Sequence, residues 1–515
     1  MNATGTRPTA AAPAFPIDAV VIRRPHFQLK GDSLFFLISR RPFAVLNQAE
    51  QLVWNALETE TSVGELQARL GQSAVEGLHR ILSLEAAEVA LPAPLGKRRR
   101  VMVIEPHMDD AVLSVGGLML QRRAEREFVI VTMATQSLAS VYRGLDRDFF
   151  NIETVSGIRK AESAMVARLL WGRHISLGLV EATLRYNPQN WTLDWFRRHI
   201  YAIWACLEHS PGQGELEQWT STLTNAIASV QPEEIWMPLG VGVHADHQLT
   251  LHACLNIMRA NPKLVEQCVC RFYQDVPYAA DYPAHTAALL KALGDAGGNL
   301  EQECVDIRAE MPEKLRLISV YASQFKKKVI SVRVEACSRS LSGAPESRSE
   351  LCYRVVAAPT RKIDMLATSA VKEAVYRVAR KVTPWSRRNK SAPVICLLLG
   401  VPVGRWAEDI QYLLDCFPNA HLEVHMQAKF AAEAEMLTSP RVSIRSWGDR
   451  WRWLFGGALR TIIGRRPLVI ISGREREKSC RWFARVGLLS DSVVAPTMSD
   501  FILALRYAAK NAARG

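Results

Sequence analysis

The chain has 515 residues, 48% hydrophobic and 22% charged, which is ordinary globular composition spread over more chain than one common-sized core can hold. Its formal net charge of +13 favours acidic partners without choosing among nucleic acid, anionic lipid and phosphorylated substrate. The ten cysteines are scattered and include no CxxC pair, which excludes a disulfide framework and a zinc ribbon and fits a reducing compartment.

Residues 1–18 are rich in Ala, Pro and Thr, lack the apolar core of a signal peptide and are expected to be disordered. No apolar run reaches the ~18 residues of a membrane span, so a cytoplasmic protein is expected. Residues 19–95 have a compact pattern. A helix is predicted over Gln48 to Leu57, Ser62 with Glu65 forms a capping box that opens a second, and "AVEGLHRILSLEAAEV" (74–89) reads as a third.

Residues 98–358 alternate between two kinds of segment. "RRVMVIEP", "REFVIVTMAT", "HISLGLV" and "EEIWMPLG" are short apolar runs rich in Val and Ile, with helical periodicity between them, as in "GIRKAESAMVARLLWG". Such alternation predicts βαβ units and a mainly parallel sheet. Residues 359–391 form a basic connector in which apolar residues recur at helical spacing from Leu366 to Val382. Residues 392–515 alternate again, with strands predicted at "PVICLLLG", "HLEVHM", "RVSIRSW" and "RPLVIISG". No GxGxxG follows a strand and no GxxxxGK[ST] occurs, so nucleotide binding is not inferred.

Two clusters carry the chemistry. In "VMVIEPHMDDAVLSVGG" (101–117), a strand ends in His107, Asp109 and Asp110 just before a helix. In "EEIWMPLGVGVHADHQLTLHA" (233–253), a strand, a loop and a helix frame His244, Asp246 and His247. Each cluster alone also fits a helix N-terminus, where acidic side chains meet free backbone N–H groups. Ligands of open α/β sheets sit at the carboxyl ends of strands, however, and His with carboxylate suits Zn²⁺, with Fe²⁺ allowed by the same ligand types. If the two strands are neighbours, the clusters form a three-ligand site with an open position. Gly116 and Gly117 read as a close packing of helix against strand.

"PHMDD" with the following "GG", and then "HADH", resemble the two signature motifs of the PIG-L/LmbE-like N-acetylglucosaminyl deacetylases. "IRKAES", "RFYQDVPYA" and "EKLRLISVYASQF" resemble further family segments, in order, across the middle of the chain. The resemblance implies zinc held by His107, Asp110 and His247, Asp109 as general base, a protonated His244 stabilising the oxyanion, and Asp246 orienting His244. It places Ser323 and Gln324 near the site. The sequence departs from the family at Met108, where Pro is usual, at Gln274, where an acid is usual, and at Gly242, where some members carry Tyr.

The N-terminal block resembles the PqqD-like winged-helix domains that recognise peptides. A DNA-binding winged helix fits less well, because its second helix, "SVGELQARLG", balances one Arg with one Glu. The resulting expectation is an α/β protein: a Rossmann-like, mainly parallel deacetylase domain, a small N-terminal winged-helix domain and a C-terminal Rossmann-like α/β domain. The implied reaction is zinc-dependent removal of acetyl from an N-acetylated amino sugar on a larger conjugate. Its alternative is a weakly active scaffold that binds a peptide or carrier through the N-terminal domain. The basic helix at 366–382 reads first as a domain-packing helix with a charged outer face, with a peripheral membrane contact through 361–390 as the alternative, and nucleic acid is not an expected partner.

Overall fold

The computed structural model describes residues 15–36, 42–138, 151–185, 211–241, 244–281, 283–325, 327–342 and 347–363, together with five strands beyond residue 393. It divides into two compact units, Met1–Ile363 and Asp364–Gly515. The helix expected over 366–382 and Gly242 lie outside the described residues. No helix among those described is long and apolar enough to cross a membrane.

The first unit begins with β1 (Val20–Arg23), β2 (Phe27–Lys30), β3 (Ser33–Phe36), β4 (Pro42–Val45), α1 (Gln48–Ala56), β5 (Thr61–Ser62), α2 (Val63–Leu70), α3 (Gln72–Ser83) and β6 (Ala87–Ala90). Its strands form two antiparallel sheets, ordered β5-β1-β6 and β2-β3-β4. The capping box opens α2: the Glu65 N–H donates to Ser62 Oγ at 3.1 Å and the Ser62 N–H to Glu65 Oε2 at 2.9 Å. The third helix stops earlier than its sequence pattern suggested. Glu85 turns the chain at a positive φ of 52°, and Ala87–Ala90 instead pairs with β1, Val89 opposite Val21. Local propensity yields there to a strand partner some 65 residues away in sequence, a tertiary contact no local window contains.

The middle of the unit comprises β7 (Arg99–Glu105), α4 (Asp110–Arg122), β8 (Arg126–Gln136), α5 (Ile152–Leu169), β9 (Arg173–Val180), α6 (Ala182–Arg185), α7 (Gln213–Val230), β10 (Glu234–Pro238), α8 (Ala245–Ala260), α9 (Lys263–Gln267), β11 (Val269–Tyr273), α10 (Tyr278–Asp281), α11 (Pro283–Asp295), β12 (Asn299–Asp306), α12 (Met311–Val320), α13 (Lys327–Ser342) and β13 (Ser349–Ala357). The sheet order is β12-β13-β11-β10-β7-β8-β9. The run from β11 to β9 is parallel throughout, and β13 adds antiparallel on the β11 side. This is the mostly parallel sheet that the alternating segments implied. The chain leaves β7 toward β8 on one side and later returns to β10 on the other, with Glu234 opposite Val101 and Trp236 opposite Val103. The topological switch point therefore lies between the carboxyl ends of β7 and β10, where such sheets bind ligands.

Helix α4 is broken at Val115 (φ −130°, ψ 20°). A regular helix would pair the Gly117 N–H with the Leu113 carbonyl. Here buried Lys314 donates to that carbonyl at 2.8 Å, and buried Glu350 accepts the Gly117 and Leu118 N–H groups at 2.8 and 2.7 Å. Lys314 and Glu350 close the splint with a 2.6 Å ion pair. The two glycines admit these neighbours: a Cβ on Gly117 would meet Ile307 side-chain atoms at 2.7 Å, and one on Gly116 would meet Lys314 Cγ at 3.4 Å. Their packing partners are thus Ile307 and α12 rather than a strand.

In the second unit, β14 (Val394–Leu399), β15 (His421–Gln427), β16 (Val442–Trp447), β17 (Leu468–Ile471) and β18 (Ser492–Ala495) form a parallel sheet ordered β16-β15-β14-β17-β18.

Replacing Lys314 with Met leaves Glu350 charged, buried and without its counter-ion. Urea denaturation of Lys314→Met is expected to show a loss of about 3–5 kcal/mol.

Candidate metal centre

Strand β7 is apolar and buried from Val101 to Ile104, and then delivers a buried Glu105 into the turn that carries His107 and Asp109. Glu105 does not face solvent. It accepts the Ala111 N–H at 2.9 Å and the Thr132 hydroxyl at 2.5 Å, so it staples the turn to β8. His174, on β9, extends the staple with Nε2 at 2.8 Å from the Thr132 hydroxyl. Since that hydroxyl already donates to Glu105, it accepts from His174. Burial pushes the Glu105 carboxyl up to about 7, against the pull of Thr132.

Asp109 occupies the N-cap position of α4, yet its side chain makes no capping hydrogen bond. Its φ of 148° costs a non-glycine residue about 1–3 kcal/mol, strain of a kind concentrated at functional sites. A helix-capping role therefore does not explain Asp109. Burial and the neighbouring Asp110 charge raise its pKa well above the usual carboxylate range, while Arg159, 3.9 Å away, pulls it back.

The second cluster arrives at the amino end of α8, beside the first because β10 lies beside β7. His107 Nδ1 is 3.2 Å and His247 Nε2 3.3 Å from the same Asp110 oxygen, Oδ2. Each imidazole turns its other nitrogen to a different carboxylate: His107 Nε2 to Asp246 Oδ2 at 3.0 Å, and His247 Nδ1 to Asp275 Oδ1 at 2.7 Å. Carboxylates on the far nitrogens fix which ring atom faces a metal, and raise its basicity.

The electrostatics follow from this crowding. Burial disfavours a charged His107, but Asp110 and Asp246 outweigh burial and hold its pKa up to about 10. Burial works against a charged His247 as well, yet Asp110 and Asp275 raise it well above its ordinary value. Burial would raise Asp110, but His247 and His107 hold its carboxyl far below the usual range. The carboxylates thus call for positive charge between the two rings. A divalent cation meets that demand. His107, Asp110 and His247 are all buried, their ligand atoms lie within 4.8 Å of one another, and His247 Nε2 is buried with no hydrogen-bond partner. A His-Asp-His set with these distances fits Zn²⁺ or Fe²⁺.

His244 and Asp246 depart from the expected geometry. Asp246 gives Oδ2 to His107 and to the Ala182 N–H at 2.9 Å, and Oδ1 to Arg185 at 2.7 Å, while His244 Nδ1 stays 3.7 Å from its carboxylate. Asp246 therefore orients His107 more closely than His244. His244 Nδ1 accepts the Asp246 N–H at 3.3 Å, which places the ring proton on Nε2. Burial, then the nearby His107 charge, push the His244 pKa down to about 3, so the ring is neutral where a protonated one was expected.

Ser323 donates its N–H and hydroxyl to Glu162 at 2.8 and 2.6 Å, bracing α5, and Gln324 bonds Ser323 at 3.1 Å. Gln274 donates its side-chain amide to the Tyr353 hydroxyl at 2.7 Å. Met108 is wholly buried. Three neighbours carry roles that no sequence motif assigned them: Glu105, Arg185 and Asp275. Asp275 had a signal, since it sits in the quoted "RFYQDVPYA".

Residues 102–258 match the family model PIG-L, described as GlcNAc-PI de-N-acetylase. The PIG-L match spans both clusters and the β7–β10 switch point. A 2'-N-acetylparomamine deacetylase of Streptomyces fradiae is 27% identical over 229 residues, covering 44% of this chain and 74% of that protein. Two solved structures resemble the chain more distantly. The A40926 pseudoaglycone deacetylase is 20% identical, with 51% of this chain and 99% of that chain covered at a TM-score of 0.36. The N,N'-diacetylchitobiose deacetylase from Pyrococcus horikoshii is 18% identical, with 55% and 92% covered at a TM-score of 0.34.

The staple behind the His107–Asp110 turn has a pH signature. Burial, then Lys160, push the His174 pKa from 6.5 down to about 4. The unfolded chain thus binds the proton first as pH falls, and stability conferred by neutral His174 drains away between those values. Urea midpoints measured at about pH 7 and about pH 5 should differ more in wild type than in His174→Gln.

Proposed function

We propose that the PIG-L domain is a metal-dependent amide hydrolase that removes acetyl from an N-acetylated amino sugar on a larger conjugate. The observation that carries this reading is Asp109: a strained, buried carboxylate, free of capping duty, beside a His-Asp-His set suited to a divalent cation. The Streptomyces fradiae relative, whose name specifies an N-acetylated amino sugar, supports the substrate class.

His107, Asp110 and His247 would hold the metal, with zinc as the first candidate. A divalent cation so held lowers the pKa of water toward neutrality and polarises the amide carbonyl. Asp109 takes a proton from water as the water oxygen bonds to the acetyl carbon. It returns that proton to the sugar nitrogen as the C–N bond breaks, leaving acetate and a free amine. Burial and the Asp110 charge raise the Asp109 carboxyl above the ordinary carboxylate range, the direction that makes it a stronger base. His244, neutral and protonated at Nε2, donates to the carbonyl oxygen as negative charge grows there, a kind of contact worth a few kcal/mol. Asp246 and Asp275 hold the two imidazoles in the required tautomers.

The organisation proposed around this domain is a PqqD-like winged helix over residues 19–95, a deacetylase domain over 98–358, a basic connector over 359–391 and a Rossmann-like domain over 392–515. The helical segments α1 to α3 beside a small antiparallel sheet support the first of these. The exposed Phe43 and Val45 on edge strand β4 offer it a surface for a peptide or carrier.

Asp109→Asn should keep its metal in elemental analysis while the kcat of deacetylation, followed by acetate release from N-acetyl amino-sugar conjugates, falls about 10²- to 10⁴-fold. Unchanged turnover would remove Asp109 from the mechanism. His247→Ala should lose the metal, and Asp275→Asn should bind it about 10- to 100-fold more weakly in a chelator competition. A wild type that binds metal yet releases acetate from no N-acetyl sugar would favour the carrier-binding scaffold instead.

A further inference from the structure

A second set of side chains near the first has the composition of a metal site: His107, His244 and Asp246, with ligand atoms again within 4.8 Å of one another. The two sets share His107 and use its opposite nitrogens. In the first set Nδ1 faces Asp110, and in the second Nε2 faces Asp246. A neutral imidazole cannot supply both, because one of its nitrogens carries a proton, so two cations together require His107 to lose that proton to solvent and bridge as an imidazolate. A cation in the second set would strip His107 of the hydrogen bond that orients it.

Arg185 stands on the far side of Asp246. One guanidinium nitrogen lies 2.7 Å from Asp246 Oδ1 and also donates to the Val180 carbonyl, while Nε lies 2.7 Å from Glu215 Oε1. The guanidinium sits over the buried Trp219 ring, 5.4 Å from its centroid, and the side chain is only 14% exposed. Glu215 is itself anchored at the start of α7, accepting the Gly212 N–H at 2.8 Å. Arg185 is thus held on three sides and aimed at Asp246. Its charge opposes a second cation beside that carboxylate. Its hydrogen bond, with that of the Ala182 N–H, commits both Asp246 oxygens to acceptor duty.

We infer that Arg185 is a positioning residue that reserves Asp246 as the acceptor for His107 and thereby closes the second metal position formed by His107, His244 and Asp246. The inference rests on the reading that His107, Asp110 and His247 hold the catalytic metal. It adds a specificity function: one cation per site, in the set that Asp109 adjoins.

The test uses the full-length chain, stripped with chelator and titrated with Zn²⁺ alone, with stoichiometry and affinity read by calorimetry and by competition with a chromophoric chelator. Wild type is expected to take up a single zinc. Arg185→Met should take up a second, weaker equivalent and bind the first about 10-fold less tightly, because Asp246 no longer holds His107 as firmly. Arg185→Gln, which removes the charge but can still bond Asp246, should also admit the second zinc, and it reads the outcome if Arg185→Met does not fold. Arg185→Lys should restore the single equivalent. His244 belongs to the second set alone, so Arg185→Gln with His244→Ala should lose the extra zinc. An unchanged single equivalent in Arg185→Met and Arg185→Gln, or an extra zinc that survives His244→Ala, would overturn the inference while leaving the proposed catalytic site standing. A wild type that binds no zinc would overturn both.

Discussion

Everything at this site depends on burying two imidazoles among more carboxylates than protons alone comfortably balance. Asp110 faces both rings from between them, and Asp246 and Asp275 hold them from behind. An unpaired charge in such surroundings is costly, so each group is tied to an opposite one. The surplus of negative charge makes a divalent cation the natural occupant, and the carboxylates behind the rings decide which nitrogens face it.

The rest of the first unit holds that balance in place. Parallel pairing of β10 with β7 brings together two clusters that lie more than a hundred residues apart in sequence. The Glu105–Thr132–His174 staple fixes the turn that carries His107 and Asp109. The Lys314–Glu350 splint fixes the helix that begins with Asp110, even though that helix is broken at Val115. The N-terminal sheets are joined to the same frame: buried Arg24 donates to the Ser319 carbonyl and hydroxyl at 3.2 and 3.1 Å, and Trp171 donates to the Leu91 carbonyl at 2.8 Å.

Asp109 and Arg185 use their surroundings in opposite ways. Asp109 makes no side-chain capping hydrogen bond and sits under backbone strain, which in the proposed mechanism leaves its carboxylate available for proton transfer. Arg185 is immersed in hydrogen bonds, which fix its guanidinium against Asp246.

Much of this was legible in the sequence. Alternating apolar runs marked the parallel sheet, polar clusters at the ends of two runs marked His107, Asp109, Asp110, His244, Asp246 and His247, and Ser62 with Glu65 marked the start of α2. Those features are local, written in spacings of a few residues, where periodicity and capping act. The partners of the marked residues were not legible. Asp246 could be assigned to His244 because the two are close in sequence, but it serves His107, 139 positions away, and is held by Arg185, 61 positions away. Lys314 and Glu350 meet at a break in a helix whose own residues do not name them. Single side chains that become neighbours only when strands pair and helices pack leave no periodic trace. The sequence by itself therefore determined which ionisable side chains stand at which strand ends, and the tertiary structure alone decided which carboxylate holds which imidazole.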